Sequence, residues 1–289
     1  MDSRYICNSK DNESIPEEVL RKLKLTFKEV HQDSNKMASL SKAIKEHNRD
    51  TICRVPFSNT IEAESLGSNI KFPGENIQAM IDSYKINRIE DIYKLNKMDF
   101  NHKSMAETLK AVELLKSQGE RVCIQIEGPF TIATQIMDST LFYKSLLKEA
   151  VAMDHLLNII KAGILEYIET AITKGAEVIS YADPAGTIEL VGPRMYKNYS
   201  GSLNSSILKK AEAIIGDSII HICGRTSSSL EIGGFAKGSL IQVSEGMSYG
   251  ESVFEIIEKQ KEVKIIGNGC IKISHLKNNK NCLWRMDLI

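Results

Sequence analysis

The chain has 289 residues, and its 37 Lys and Arg residues balance its 37 Asp and Glu residues, so the formal net charge is zero. A neutral total argues against a nucleic acid or an anionic membrane as partner. Hydrophobic residues make up 42% and charged residues 26%, which is typical of a folded protein and excludes a disordered one. Since there is no apolar leader and no apolar run of about 18 residues, we expect a cytoplasmic protein that does not cross a membrane.

The first fifty residues are predicted to form an N-terminal helical extension. Pro16 before Glu17 and Glu18 is typical of a helix start. A second helix is predicted over residues 36–46. Residues 51–57 then form a short β-rich run that ends near Pro56.

Strands and helices alternate regularly in the remainder of the chain. Ser104 and Glu107 match a capping box at the start of a helix, and a long helical region is expected to break near Gly163. The predicted strands are residues 121–127, 177–181, 218–223, 240–243, 263–266 and 284–289. The predicted helices are residues 104–118, 141–174, 206–215 and 253–260.

This alternation predicts an α/β fold with a mainly parallel sheet. The sequence contains neither Gly-x-Gly-x-x-Gly nor a Walker loop, which favours a (βα)8 TIM barrel over a dinucleotide-binding fold. There is no internal repeat and no Pro/Ser/Gly-rich linker. We therefore expect a single barrel domain over residues 1–289, with residues 1–50 as its helical extension.

The clearest local motif is His221-Ile222-Cys223, at the carboxyl end of a predicted strand. The two-residue period of a strand places His221 and Cys223 on the same face. Imidazole and thiolate are ligands that Zn²⁺ prefers. Taken alone, the pattern more often indicates a core Cys beside a hydrogen-bonded His than a metal site.

A third possible ligand follows the next-to-last predicted strand. Cys270 lies in a segment where Gly267 and Gly269 allow the backbone to turn. Two strand ends that supply one His and two Cys would make a three-ligand zinc site with an open fourth position. The other cysteines are predicted to be core residues, and the other histidines surface or packing residues. These cysteines are Cys7, Cys53, Cys123 and Cys282.

Two further strand ends carry acids. Gln125 and Glu127 share one face of their strand, and Tyr181 and Asp183 share one face of the next. Carboxylates at such positions bind substrate, support metal ligands or act as acid and base. The alternative is that each carboxylate caps the following loop or helix. The acids of Thr60-Ile-Glu-Ala-Glu64 are expected to form a solvated helix start.

Five segments, taken together and in this order, resemble one known superfamily. These segments are Cys53–Gly67, Glu127–Ala133, Asp183–Gly186, His221–Gly224 and Gly267–Cys270. The chain resembles the uroporphyrinogen decarboxylase-like superfamily, and in particular its zinc-dependent, corrinoid-linked methyltransferase branch. The resemblance covers roughly residues 36–275.

The resemblance implies a TIM barrel that transfers a methyl group to or from the cobalt of a corrinoid. The other reactant would be a small molecule, either a thiol or a methylated substrate such as a methyl ether. The corrinoid, as methylcobalamin, usually sits on a partner corrinoid protein. The carried-over zinc ligands are His221, Cys223 and Cys270. The catalytic candidates are Glu127, as a weak fourth zinc ligand or as support for the ligands, and Asp183. The substrate-binding candidates are Asn59, Gln125 and Tyr181. The short spacing after Cys223 predicts an abbreviated last βα unit.

Two other functions stay open on the sequence alone. A uroporphyrinogen decarboxylase binds a substrate with many carboxylates, for which Arg is suited, but residues 57–64 contain two Glu and no Arg. Only nine of the 37 basic residues are Arg. A non-catalytic zinc-binding scaffold for a corrinoid protein is the other alternative, although structural zinc sites normally fill four positions with Cys and His.

Contact with the corrinoid is expected at residues 58–75, 184–200 and 224–239.

Overall fold

The structure is a computed structural model, and it describes residues 15–289; the prediction for Cys7 lies outside the described residues. The helices are α1 (Glu17–Leu23), α2 (Phe27–His31), α3 (Ser34–Asn48), α4 (Ile61–Ser65), α5 (Lys103–Ser117), α6 (Pro129–Ile136), α7 (Ser139–Lys148), α8 (Ala150–Thr173), α9 (Ile188–Val191), α10 (Pro193–Met195), α11 (Gly201–Ile214), α12 (Gly224–Ile232) and α13 (Tyr249–Lys259). A π-helical turn, Tyr196–Ser200, joins α10 to α11. The strands are β1 (Cys53–Val55), β2 (Asn69–Lys71), β3 (Met80–Ser83), β4 (Val122–Glu127), β5 (Val178–Ala182), β6 (Ile219–Cys223), β7 (Ala236–Gln242), β8 (Ile265–Gly269) and β9 (Cys282–Leu288).

Seven strands form one sheet, in the order β1-β4-β5-β6-β8-β9-β7. The first five are parallel neighbours, whereas β9 runs antiparallel to both β8 and β7. The strands β2 and β3 form a separate antiparallel hairpin. The prediction of an α/β fold with a parallel sheet is confirmed. Within residues 15–289 no ladder links β7 back to β1, and β9 is the strand that runs opposite to the rest of this sheet.

The strand register gives the sheet one face that changes character along its length. Cys123, Val178 and Ile219 lie in one row across β4, β5 and β6, and all three are buried. Two residues further along, the row contains Gln125 and His221. The same face is therefore apolar towards the amino ends of the strands and polar towards their carboxyl ends.

The opposite face of the sheet packs against helices. Ile124, Ile179 and Ile220 lie there in one row, and they belong to the large apolar cluster that also contains Ile164 of α8 and Leu208 of α11. Burial of branched side chains on both faces is what a parallel sheet requires. Polar groups are consequently gathered at the carboxyl edge of the strands, where α/β proteins place their sites.

Two predictions about helix ends were wrong. Helix α5 begins at Lys103, after His102, and the Glu107 carboxylate instead accepts a hydrogen bond from the backbone N–H of Ser34, at 2.9 Å. The long helical region breaks at Glu149, not near Gly163. A Cβ atom at Gly163 would lie 2.9 Å from Met98, so this glycine serves close packing within a continuous helix.

The remaining cysteines and the helices bear on two other expectations. Cys53 and Cys123 are buried, as predicted for core residues, and Cys282 is half-buried. In the part of the chain that the structure describes, no helix combines the length and apolar character needed to cross a membrane.

Candidate active site

Two groups of polar side chains lie at the carboxyl edge of the parallel strands. The carboxylate group consists of Glu62, Glu127 and Asp183, near the ends of β4 and β5. The imidazole–thiol group consists of His221, Cys223, Cys270 and Tyr249, near the ends of β6 and β8. The positive charge of the exposed Lys272, two residues after Cys270, acts on the Glu127 carboxylate.

Glu62 is a member of the site that the sequence interpretation missed. Its side chain is 2% exposed, and its carboxylate accepts a hydrogen bond from the backbone N–H of Glu127 at 2.9 Å. Burial raises the pKa of Glu62 to about 7, although the hydrogen bond from Glu127 opposes that shift. The expectation of a solvated helix start is therefore wrong. The small and apolar neighbours of the acids in Ile61–Ser65 were the available signal.

Glu64, two residues further along α4, is also buried but points elsewhere. Its carboxylate lies 2.8 Å from Nε2 of His31 and accepts a hydrogen bond from the Thr60 hydroxyl at 2.7 Å. Helix α4 thus joins the site to the N-terminal helices through two buried acids. His31 is a buried packing residue, in agreement with its prediction.

Glu127 is the last residue of β4 and lies beside Ala182 of β5. Burial raises its pKa well above the ordinary value, the negative charges of Glu62 and Asp183 raise it further, and Lys272 opposes the shift. A carboxyl that shares a dry site with other acids keeps its proton near neutral pH. Glu62 and Glu127 together can therefore hold a proton and deliver it at this edge of the sheet.

Asp183 is fixed by hydrogen bonds from two helices. Its carboxylate accepts bonds from the Thr131 backbone at 2.8 Å, the Thr131 hydroxyl at 2.9 Å and the Asn204 amide at 2.7 Å, with a longer contact of 3.4 Å from the Phe130 backbone. Burial raises the pKa of Asp183, and the bonds from Asn204 and Thr131 oppose this. The side chain is 1% exposed, so its immediate effect is to join the start of α6 to α11.

The three substrate-binding candidates lie in different environments. Gln125 is on the polar face, where its amide donates to the Pro56 carbonyl at 2.7 Å. Asn59 is exposed in the loop after β1. Tyr181 is in the helix-facing apolar cluster, and its hydroxyl donates to the Asn204 side chain. The structure therefore brings Gln125, but not Tyr181, to the face that carries His221.

His221 lies within β6 and is 1% exposed. Burial lowers its pKa to about 4, so the imidazole is neutral at physiological pH. Nε2 lies 2.9 Å from the Tyr249 hydroxyl, whereas Nδ1 is buried without a hydrogen-bond partner. A neutral imidazole is the form that binds a metal ion.

The two thiols lie at neighbouring strand ends. Cys223 is the last residue of β6 and pairs in register with Gly269, the residue before Cys270. Both thiols are half-buried. The Tyr249 hydroxyl lies beside this strand end, since a Cβ atom at Gly269 would be 1.9 Å from it. Burial and then Cys270 and Cys223 raise its pKa. The sequence interpretation missed Tyr249, although Ser248 and Glu251 match the capping box that places this tyrosine at a helix start.

The side chains of this group fit zinc in their chemistry. A neutral imidazole and two half-buried thiols match the N and S ligands of catalytic zinc sites. Across residues 15–289, however, no three His, Cys, Asp or Glu side chains already stand in an arrangement that could hold a metal ion. The ligand types are present, but in residues 15–289 they are not assembled around a metal position.

Comparison with known proteins identifies one family and several relatives. The sequence profile of the uroporphyrinogen decarboxylase (URO-D) family matches residues 11–269, and so ends one residue before Cys270. A methylcobamide:CoM methyltransferase (MtbA) of Methanosarcina acetivorans is 28% identical over 207 residues, which is 71% of this chain and 61% of the relative. A methylcobamide:CoM methyltransferase (MtaA) of Methanosarcina barkeri is 24% identical, over 87% of this chain and 74% of the relative.

The fold also resembles a solved structure. A methyltransferase from Methanosarcina mazei superposes with a TM-score of 0.64 at 19% sequence identity, covering 74% of this chain and 65% of that chain. At this identity the likeness concerns the fold alone. The match to the MtbA protein spans about three fifths of the length of that relative.

Proposed function

The chain belongs to the uroporphyrinogen decarboxylase (URO-D) family, and from that premise we propose that it is a zinc-dependent methyltransferase. It moves a methyl group between a corrinoid, usually carried by a partner corrinoid protein, and a small thiol or methylated substrate. The names of the MtbA and MtaA relatives support the reaction class. The observation that carries the proposal is the register of β6 and β8, which sets Cys223 and Cys270 at adjacent strand ends beside a neutral His221.

The proposal includes the architecture around the site. The sheet is the wall of a (βα)8-type barrel that forms one domain over residues 1–289, and β9 takes the place of a regular last βα unit. The polar edge of the sheet is then the mouth of the barrel, where barrel enzymes place their sites. Family membership and the fold likeness support this reading.

His221, Cys223 and Cys270 would hold the zinc ion. When bound, zinc lowers the pKa of a substrate thiol or polarises a methyl ether oxygen, and the corrinoid carries the methyl group on its cobalt. The neutral state of His221 keeps its lone pair available. The half-buried position of both thiols gives a substrate access from the open edge of the sheet.

The carboxylate group accepts or donates the proton of the methyl-transfer reaction. When a thiol is the methyl acceptor, its proton has to leave the site, and a Glu127 carboxyl that has lost its own proton would receive it. In the opposite direction, protonated Glu127 donates to the leaving oxygen of a methyl ether. The Glu62 carboxylate, bonded to the Glu127 backbone, keeps the pair in a fixed orientation. A carboxyl with a raised pKa is suited to both roles near neutral pH.

The decarboxylase alternative meets an electrostatic obstacle at this edge. Glu62 and Glu64 follow β1 where a polycarboxylate substrate would need cations, and Glu127 and Asp183 add further acids. A substrate that carries many carboxylates would find no Arg partner in residues 57–64. A thiol, an ether or another uncharged methylated compound has no such conflict.

An absorption assay with purified protein tests the proposal. We expect about one equivalent of bound zinc and a change in the cobalt spectrum when methylcob(III)alamin is mixed with one member of a thiol panel, or when Co(I) cobalamin is mixed with one member of a methyl-ether panel. Cys270→Ser should lose the zinc and reduce turnover by at least about 100-fold, since even residues that only support metal ligands give 10- to 100-fold effects. Cys282→Ser, another half-buried cysteine, is the matched control and should retain both.

Two results would contradict the proposal. Zinc-free protein that decarboxylates uroporphyrinogen would show the decarboxylase alternative to be correct. Protein that binds zinc but leaves the cobalt spectrum unchanged with every donor and acceptor would favour the scaffold. Because the URO-D match ends at residue 269, the zinc content of Cys270→Ser is also the direct test of that ligand.

A further inference from the structure

Tyr249 occupies the position on His221 that a metal ion would need. Its hydroxyl lies 2.9 Å from Nε2, and the two rings are nearly perpendicular, at 85°. The same hydroxyl is the one affected by the charges of Cys223 and Cys270. Nε2 is therefore the His221 nitrogen on the Tyr249 side, whereas Nδ1 is buried within the protein.

The fold holds Tyr249 in this place from several directions. It is the first residue of α13, and the capping box of Ser248 and Glu251 fixes that helix start. Its backbone N–H donates to the Leu276 carbonyl at 2.8 Å. A Cβ atom at Gly269 would lie 1.9 Å from the Tyr249 hydroxyl. The glycine between the two thiol-bearing strand ends thus provides the space that the phenol fills.

We propose that Tyr249 is a gate on the metal site, an inference that rests on the proposed zinc-dependent function. For His221 to bind zinc through Nε2, the Tyr249 hydroxyl has to give up its hydrogen bond and move away. Tyr249 is thus a positioning residue that lowers metal affinity and keeps His221 in place until the metal arrives.

Zinc affinity of Tyr249→Phe tests the gate without measuring methyl transfer. Phenylalanine keeps the ring and removes the hydroxyl, so zinc no longer competes with a hydrogen bond. We expect the affinity, measured by competition with a chromophoric chelator, to rise by between twofold and about tenfold, which is the range for one neutral hydrogen bond. Tyr93→Phe is the matched control, because Tyr93 is 58% exposed and far from the site in sequence. It should bind zinc as the unmodified protein does.

A second measurement on the unmodified chain protects the test against a folding defect in the variant. Adding zinc should move a tyrosine from a buried hydrogen bond to a new environment, and a near-ultraviolet difference spectrum should report this. The difference should persist in Tyr93→Phe and vanish in Tyr249→Phe.

The possible outcomes separate the two proposals. Equal or weaker zinc binding by folded Tyr249→Phe would overturn the gate while leaving the zinc-dependent function intact. A zinc-bound protein without any tyrosine difference signal would overturn it as well. Failure of the unmodified chain to bind zinc would instead overturn the proposed function, and the gate with it.

Discussion

The carboxylate group and the imidazole–thiol group lie on the same edge of one sheet, yet they differ in how fully their polar atoms are used. Asp183 accepts short hydrogen bonds from Thr131 and Asn204, and Glu62 accepts one from the Glu127 backbone. In the other group, His221 has an unpartnered buried nitrogen, and both thiols are half-buried. Asp183 and Glu62 are bound into the framework, whereas the two thiols of the second group are partly exposed at the strand ends.

The largest effect that would distinguish the two groups is a loss of stability at Asp183. Asp183→Ala leaves the Thr131 and Asn204 donors without their acceptor in a dry interior, so we expect the free energy of unfolding to fall by about 3–5 kcal/mol. Urea denaturation followed by circular dichroism measures this. Cys223→Ser, at the end of the neighbouring strand, is the control and should cost less than about 1 kcal/mol.

The reverse pattern would break the comparison. If Cys223→Ser unfolds the protein more readily than Asp183→Ala does, the thiol rather than the carboxylate is part of the framework.

A smaller effect is expected in the pH dependence of stability. The pKa of Glu62 is about 7 in the folded chain and 4.5 as its reference value, so between these values the folded state binds more protons than the unfolded state. If Glu62 alone is considered, the free energy of unfolding should therefore be highest below about pH 4.5. It should fall as the pH rises to about 7 and stay constant above that. The full contribution is about 3 kcal/mol.

Glu62→Gln is the variant that isolates this contribution. Its amide oxygen still accepts the bond from the Glu127 backbone, but the side chain cannot ionise. We expect the urea midpoint of the variant to decline less between pH 4.5 and pH 7 than that of the unmodified chain. Parallel pH profiles for the two proteins would show that Glu62 is not the proton-binding group.

The smallest expected effect concerns Tyr181, which the sequence grouped with substrate-binding residues. Tyr181→Phe removes the bond to Asn204 on the helix-facing side, so we expect a loss of about 1 kcal/mol in stability and little change in turnover. A large loss of turnover with unchanged stability would place the Tyr181 hydroxyl at the substrate after all.

Sequence reasoning located the strands that carry the site because their apolar runs end in recognisable polar residues. Strands β4, β5 and β6 were each predicted to within a few residues, and their carboxyl ends hold Glu127, Asp183 and His221 as expected. The hydrophobic period and the turn residues describe local structure only. For these strands the local pattern and the tertiary structure agree.

The parts that escaped prediction depend on contacts between distant segments. Glu62 is buried because a strand 65 residues away offers its backbone N–H, which no local pattern contains. In the sequence, Tyr249 belongs to a helix start and not to a segment that ends a strand. It reaches His221 only through the tertiary fold. The position of β9 between β8 and β7 likewise follows from pairing across the sheet. The zinc ligands and the substrate residues remain predictions.

The reversed strand β9 has a consequence for the order of events during synthesis on the ribosome. In the described chain, β7 has β9 as its neighbour in the sheet, and β9 is made only after β8 and the following turn. Until residues 282–288 emerge, β7 lacks the strand it pairs with in the described chain, while the strands before it can already associate. An exposed strand edge invites pairing with other chains, so a nascent chain that stalls after β8 should bind chaperones more readily than a chain that includes β9.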